Sequence, residues 1–268
     1  MTNDHQPRYA KVPAATLGFW IVKILATTFG ETMGDTVSMS WLGETTASAG
    51  RAGINGYVAG TVMFGLLLAV LVFLQVRARR FHPVLYWATI IASTTAGTTL
   101  ADFATRSLGI GYPGGALLLL ALVLASLFAW HRSLGAISAV SVHGREAELF
   151  YWLTITCSQT LGTALGDWVA DGPYGYLGAA AIFGGGLAGI AALYALTRVD
   201  RVLLFWAAFI LTRPLGAVVG DFLDKPVAHG GLELSRLAAS LVLGGAIVLL
   251  VALLPQRAET IAAQEQLR

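Results

Sequence analysis

Charge is what this sequence has least of. Asp, Glu, Lys and Arg make up 12% of its 268 residues, where a soluble domain carries about 25%. There is a single cysteine, Cys157, which excludes an internal disulfide and a CxxC metal site. The histidines lie outside the long apolar runs or near their ends, so a zinc or copper site has little support. No Gly-x-Ser-x-Gly, His-Glu-x-x-His or phosphate loop occurs, and the reading is a protein that is not an enzyme and needs no cofactor. A net charge of +2 gives no sign of a nucleic-acid partner.

What is present is apolar surface. Hydrophobic residues are 56% of the chain and mean hydropathy is +0.70. Runs of about 20 apolar residues, each long enough to cross a bilayer, recur at 15–38, 54–76, 84–105, 113–131, 148–169, 174–196, 202–222 and 235–254. They lack the alternation of a membrane barrel, so the expected fold is all-α with eight transmembrane helices. Residues 1–12 and 255–268 read as polar tails around one membrane domain, 13–254. The first residues are polar and the run that follows is too long and charged for a signal peptide. Arg8, Lys11, Arg77, Arg79, Arg80, Arg132, Arg145, Arg198, Arg201, Arg257 and Arg268 fall on one side of an eight-span chain. Only Arg51, Arg106, Lys225 and Arg236 fall on the other. The positive-inside rule then predicts a membrane protein with both termini cytoplasmic.

The chain repeats itself. "FWIVKILATTFGETMGD" (19–35), "YWATIIASTTAGTTLAD" (86–102), "YWLTITCSQTLGTALGD" (151–167) and "FWAAFILTRPLGAVVGD" (205–221) align without gaps as [FY]-W-x(9)-G-x(3)-[GA]-D. Each is followed by a Gly-rich connection and a plainer apolar helix, giving repeats near 13–78, 79–143, 144–198 and 199–254. Two spans return the chain to its starting side. All four copies are therefore parallel, about an axis normal to the membrane, with quasi-four-fold or two-fold-of-pairs symmetry. Trp20, Trp87, Trp152 and Trp206 read as an interfacial aromatic belt. Gly30/Gly34, Gly97/Ala101, Gly162/Gly166 and Gly216/Gly220 read as close-packing pairs, as does the "GGG" at 184–186.

Asp35, Asp102, Asp167 and Asp221 end the four copies. A carboxylate within a span costs a few kcal/mol on the insertion scale, and four at one repeat position point to a cation site. Loop capping is the plainer alternative. Glu31 lies one turn before Asp35 in the first copy only. Lys23 and Arg213 are mid-helix bases, read either as structural counter-charges or as groups that tune the site. Five carboxylates against these two bases leave three negative charges in excess. Thr28, Thr32, Thr95, Thr99, Gln159 and Thr163 would supply a polar lining, although a Thr in such a helix often bonds back to its own backbone. Oxygen ligands alone suit Mg²⁺, Ca²⁺ or Mn²⁺, or protons.

The repeated Gly and Asp pattern resembles a bacterial family of multi-pass membrane proteins known only as a repeat of unknown function, over residues 13–254. More loosely, "ETMGDT" (Glu31, Gly34, Asp35, Thr36) is similar to the Glu-x-Gly-Asp-(Lys/Arg)-(Ser/Thr) signature of manganese/calcium cation exchangers, with an extra residue and no basic position. That resemblance implies Glu31 and Asp35 as metal ligands and favours Mn²⁺. The expected function is a transporter, an exporter or exchanger, for a small hard cation. Protons are the candidate coupling ion, repeats one and two would rock against three and four, and the chain would be monomeric or a homo-oligomer. A cation-selective pore and a non-transporting scaffold or sensor stay open, as do small organic cations as cargo.

Overall fold

The computed structural model describes residues 9–44, 55–135, 137 and 144–260. Arg8, Arg51 and Arg268 lie outside these residues. The eight helices are α1 Leu17–Asp35, α2 Gly56–Arg77, α3 Pro83–Asp102, α4 Gly111–Leu134, α5 Arg145–Ala170, α6 Gly175–Leu196, α7 Arg201–Asp224 and α8 Arg236–Leu253. Each falls on one of the apolar runs. The chain is an all-α membrane protein of four two-helix repeats.

By length and composition α2, α4, α6, α7 and α8 are apolar enough to cross a membrane. The others, α1, α3 and α5, carry the threonines and charges, and their position explains how that is tolerated. Helix α1 packs on α3, α3 on α5, α5 on α7, and α7 on α1, which closes a ring. The even helix of each repeat covers the odd helix of the next: α2 on α3, α4 on α5, α6 on α7 and α8 on α1. The polar helices α1, α3 and α5 are thus inside together with α7, and α2, α4, α6 and α8 are outside, where Leu66, Val70, Phe128, Leu241 and Val242 are exposed as lipid-facing side chains.

The ring is held in register by its glycines. A Cβ on Gly30 would meet Thr94, on Gly97 Gln159, on Gly162 Arg213, and on Gly216 Thr27. The partner is in every case the residue three positions before the glycine's counterpart in the next repeat. The same cycle recurs one turn along, where Gly34 faces Thr98, Gly166 faces Ala217 and Gly220 faces Glu31. Absence of a side chain lets the backbones approach closely. Hydroxyls then bond across the contact, Thr94 Oγ1 to the Ala26 carbonyl at 3.1 Å and Thr27 Oγ1 to that of Thr212 at 3.2 Å. In the "GGG" of α6, only Gly186 approaches a neighbour, Leu211; Gly184 and Gly185 face open space, so close packing does not account for them.

The tryptophans also differ from the expected lipid-facing belt. Trp87 and Trp152 are buried, and the first aromatic of each repeat lies against the tryptophan of the next. The ring centroids are 5.5 Å apart for Phe19–Trp87, 5.7 Å for Tyr86–Trp152, 6.5 Å for Tyr151–Trp206 and 5.6 Å for Phe205–Trp20. The four pairs make a closed aromatic collar at the end of the ring that carries the termini. Packing against one another buries Phe19, Tyr86, Trp87, Tyr151 and Trp152, while Trp20, Phe205 and Trp206 stay half-buried.

Next to the collar, strands β1 (Tyr9–Pro13) and β2 (Ala258–Thr260) pair antiparallel, so where the tails are described they are joined. Lys11 Nζ bridges to Glu148 Oε1 at 2.7 Å and reaches the Gln75 and Val76 carbonyls at the end of α2. Trp87 Nε1 donates to Gln256 Oε1 at 3.1 Å, which ties the chain after α8 to the collar.

Candidate functional site

Each odd helix turns one residue in four towards the ring axis, so the repeat stacks side chains in layers about 6 Å apart. Beyond the collar comes Lys23 with Ile90, Ile155 and Phe209. Thr27, Thr94, Gln159 and Arg213 follow, then Glu31, Thr98, Thr163 and Ala217, and last Asp35, Asp102, Asp167 and Asp221. Among these, Lys23, Thr27, Thr94, Thr98, Thr163 and Arg213 have no solvent exposure.

Arg213 joins all four inner helices. From α7 its Nε donates to the Gln159 carbonyl at 3.2 Å, and Nη1 to the Thr27 carbonyl at 3.1 Å. Its Nη2 donates to Glu31 Oε2 at 3.0 Å, Thr98 Oγ1 at 2.6 Å and the Thr163 hydroxyl. A guanidinium has five N–H donors in a fixed fork, which suits a hub with acceptors on three sides. Glu31 is therefore the counter-ion of Arg213, and the pair closes the axis at mid-depth.

One layer further out the four aspartates converge in two pairs. Arg106, in the π-helical turn Phe103–Ser107 that continues α3, bridges Asp102 at 3.0 Å and Asp167 at 3.2 Å. Lys225, just past α7, bridges Asp221 at 3.0 Å and also pairs with Asp35. Arg236 of α8 pairs with Asp224 at 3.2 Å. Burial works against the Lys225 ammonium, yet Asp221, Asp35 and Asp224 around it hold its pKa well above the ordinary lysine value. Among the described residues, Asp35 and Asp102 make no side-chain cap bond to the turns they precede.

Lone pairs are left over. Asp35 Oδ1, Asp102 Oδ2 and Asp167 Oδ1 are buried without a hydrogen-bond partner. Carboxylate oxygens of Glu31, Asp167 and Asp221 lie within 4.8 Å of one another, as do those of Asp35, Asp221 and Asp224. Either set could hold a hard cation with oxygen ligands. Glu31 and Asp35, the pair expected to act together, fall into different sets, because each is drawn to a different base. A cavity of about 880 Å³ lies at this end of the ring, lined in part by Met39, Arg106, Asp171, Tyr176, Lys225 and Arg236.

The polar lining also differs from expectation. Gln159 and Thr163 are on the axis. Thr28 and Thr95 bond back to the Ile24 and Ile91 carbonyls. Thr32 meets Ser240 of α8, and Thr99 meets Thr61 of α2. Each of these four threonines is one residue past an axial position, about 100° around the helix. The axial hydroxyls are those of Thr27, Thr94, Thr98 and Thr163. Lys23 does not join the carboxylates; it lies two layers away, its Nζ 3.9 Å above the Phe209 ring. The charge balance changes accordingly. Six carboxylates, Asp224 included, face Arg106, Arg213, Lys225 and Arg236, an excess of two negative charges instead of three. Arg106 and Lys225 read from sequence as outer loop charges. The signal that places them is their spacing, each four residues after a repeat aspartate and so on the same helical face.

The family model described as a Repeat of Unknown Function (DUF347) matches the chain four times, at residues 18–81, 85–135, 150–200 and 204–257. No curated protein and no solved structure matches the chain. These comparisons lend no support to the likeness with manganese/calcium exchangers. Four matched copies cover most of the sequence, and the chain belongs to the family of the Repeat of Unknown Function (DUF347).

Proposed function

We propose that this protein is a membrane transporter, an exporter or exchanger, for a small hard cation, with Mn²⁺ as the first candidate. The observation that carries the reading is the convergence of Glu31, Asp167 and Asp221 oxygens within 4.8 Å on the axis of a closed ring. An excess of two negative charges there matches a divalent ion. Arg106 and Lys225 act as tethered cations that hold the carboxylates when cargo is absent and give way when it arrives. The cavity at the aspartate end supplies the entry, and the Arg213–Glu31 pair with the aromatic collar closes the path beyond. A path blocked at two depths favours a transporter over an open pore.

The ion pairs suggest how such a ring would move. Arg106 ties repeat two to repeat three and Lys225 ties four to one. The halves that rock would then be two-plus-three against four-plus-one, with Arg213 as the pivot, and not one-plus-two against three-plus-four. Ring and site close within one chain, so a homo-oligomer is not required.

We place the protein in a bacterial inner membrane with the collar end cytoplasmic. Lys11, Arg77, Arg79, Arg80, Arg132, Arg145, Arg198, Arg201 and Arg257 belong to that end. The described bases of the opposite end, Arg106, Lys225 and Arg236, are all paired with aspartates and leave little free positive charge there.

The test is ion flux into proteoliposomes of the purified protein, with Mn²⁺, Ca²⁺ and Mg²⁺ in turn. Saturable uptake that is lost in Asp167→Asn supports the reading. No flux of any of the three by the folded protein overturns it.

A further inference from the structure

Lys23 is the one ionised or ionisable group of the axis that the ion pairs do not use. Its side chain has no solvent exposure, and its Nζ has no hydrogen-bond partner among the described residues. The counterparts of Lys23 in the other repeats, Ile90, Ile155 and Phe209, are apolar and buried. The groups that face it can be named helix by helix. From α7 come Phe209, under the ammonium, and Arg213, one layer on. From α3 and α5 come Ile90 and Ile155 in its own layer, and one layer nearer the collar Tyr86 and Tyr151, whose hydroxyls lie 3.3 Å apart. Helix α8 has Arg236 at its far end as its one titratable residue, and on α1 itself Glu31 is two layers away and engaged by Arg213.

Stability does not explain this lysine. Desolvating an ammonium is costly, and a cation–π contact with one phenyl ring offsets only part of that cost. A methionine of similar volume would fill the layer at no such cost. What lysine adds is a proton that can come and go.

We propose that Lys23 is the proton-binding site that couples cation movement to a proton gradient, an inference that rests on the cation reading above. When the carboxylate layers hold no cargo, Glu31 neutralises Arg213 and Nζ carries a proton. When cargo engages Glu31, Arg213 loses its counter-charge and its field acts on Lys23 one turn away. The N–H bond breaks, the electron pair stays on nitrogen as a neutral amine, and the proton leaves towards the Tyr86–Tyr151 hydroxyls at the collar. One proton is exchanged per cargo ion through this group.

The test uses proteoliposomes that report internal Mn²⁺ and internal pH together, with wild type, Lys23→Met and Lys23→Arg. Wild type is expected to change internal pH as Mn²⁺ moves. Both variants are expected to keep Mn²⁺ exchange and to lose the Mn²⁺-driven pH change, Met because it binds no proton and Arg because it releases none. A variant that retains the wild-type proton-to-Mn²⁺ ratio overturns the inference, as does a wild type that moves Mn²⁺ with no pH change. A wild type that exchanges none of Mn²⁺, Ca²⁺ and Mg²⁺ overturns the cation reading itself, and this inference with it.

Discussion

Arg213 and Glu31 come from opposite ends of the sequence, 182 residues apart, and meet at 3.0 Å with neither side chain more than 2% exposed. Helices α1 and α7 are neighbours because the ring closes there, and the pair is the charged part of that closure. Removing one partner leaves an uncompensated charge in a dry interior, which costs about 3–5 kcal/mol. We expect Glu31→Leu and Arg213→Met each to lower the unfolding temperature in detergent markedly. The double variant should recover most of the loss, since two apolar side chains of similar volume replace a buried pair at little net cost. Additive losses would show that the two residues act separately.

The glycine contacts give a second prediction. A Cβ on Gly216 would stand 2.2 Å from Thr27 Oγ1 and 2.8 Å from the Thr27 carbonyl carbon, and backbone cannot swing aside. Gly216→Val should therefore abolish folding or strongly reduce thermal stability. Gly185, also mid-helix, has nothing within 4 Å of the same position. Gly185→Ala should be neutral or stabilise by about 1 kcal/mol through helix propensity. Thermal unfolding of the two variants side by side checks both.

On the cation-transport reading, tethered cations compete with cargo. Lys225 holds Asp35 and Asp221 together. On the cation-transport reading, Lys225→Met should raise apparent cation affinity about tenfold, the equivalent of 1.4 kcal/mol, and should slow release. A Lys225→Arg variant should stay close to wild type. Concentration dependence of Mn²⁺ uptake measures both, and unchanged or weakened affinity in Lys225→Met would count against competition.

The proposed division of the ring into rocking halves can be trapped. Gly166 and Ala217 face each other between α5 and α7, a Cβ on Gly166 lying 3.1 Å from that of Ala217. Ser93 and Thr156 hydroxyls are 3.1 Å apart between α3 and α5. In a background with Cys157 replaced by serine, a Gly166→Cys/Ala217→Cys disulfide crosses the boundary between halves and should stop transport reversibly. A Ser93→Cys/Thr156→Cys disulfide lies within a half and should leave most of it. Flux before and after reduction reads the result.

The helices and repeats were legible because lipid demands long apolar runs and because the [FY]-W…G…D pattern recurs in four copies. The ring followed from the same pattern, since a two-span repeat can only be parallel. What was not legible was partnership. Trp87 reads as an interfacial residue unless one knows that Phe19 of the preceding repeat packs against it, as Tyr86 packs against Trp152. Thr28 and Thr27 are indistinguishable in composition, and only the phase of α1 turns the second to the axis. Arg106 and Lys225 looked like loop charges because helical backbone continues past the aspartates, through a π-helical turn in the case of Arg106. The pairing of the tails as β1 and β2 rests on five residues at one end and three at the other, too short to stand out beside the helices.

On the cation-transport reading, the four repeat aspartates form one site and not four. Equilibrium Mn²⁺ binding to the purified protein by calorimetry, with Asp35→Asn, Asp102→Asn, Asp167→Asn and Asp221→Asn alongside, tests it most directly. One high-affinity ion per chain is expected, weakened at least tenfold by each substitution. Several independent ions per chain, each lost with its own aspartate, or binding that no substitution changes, would contradict it.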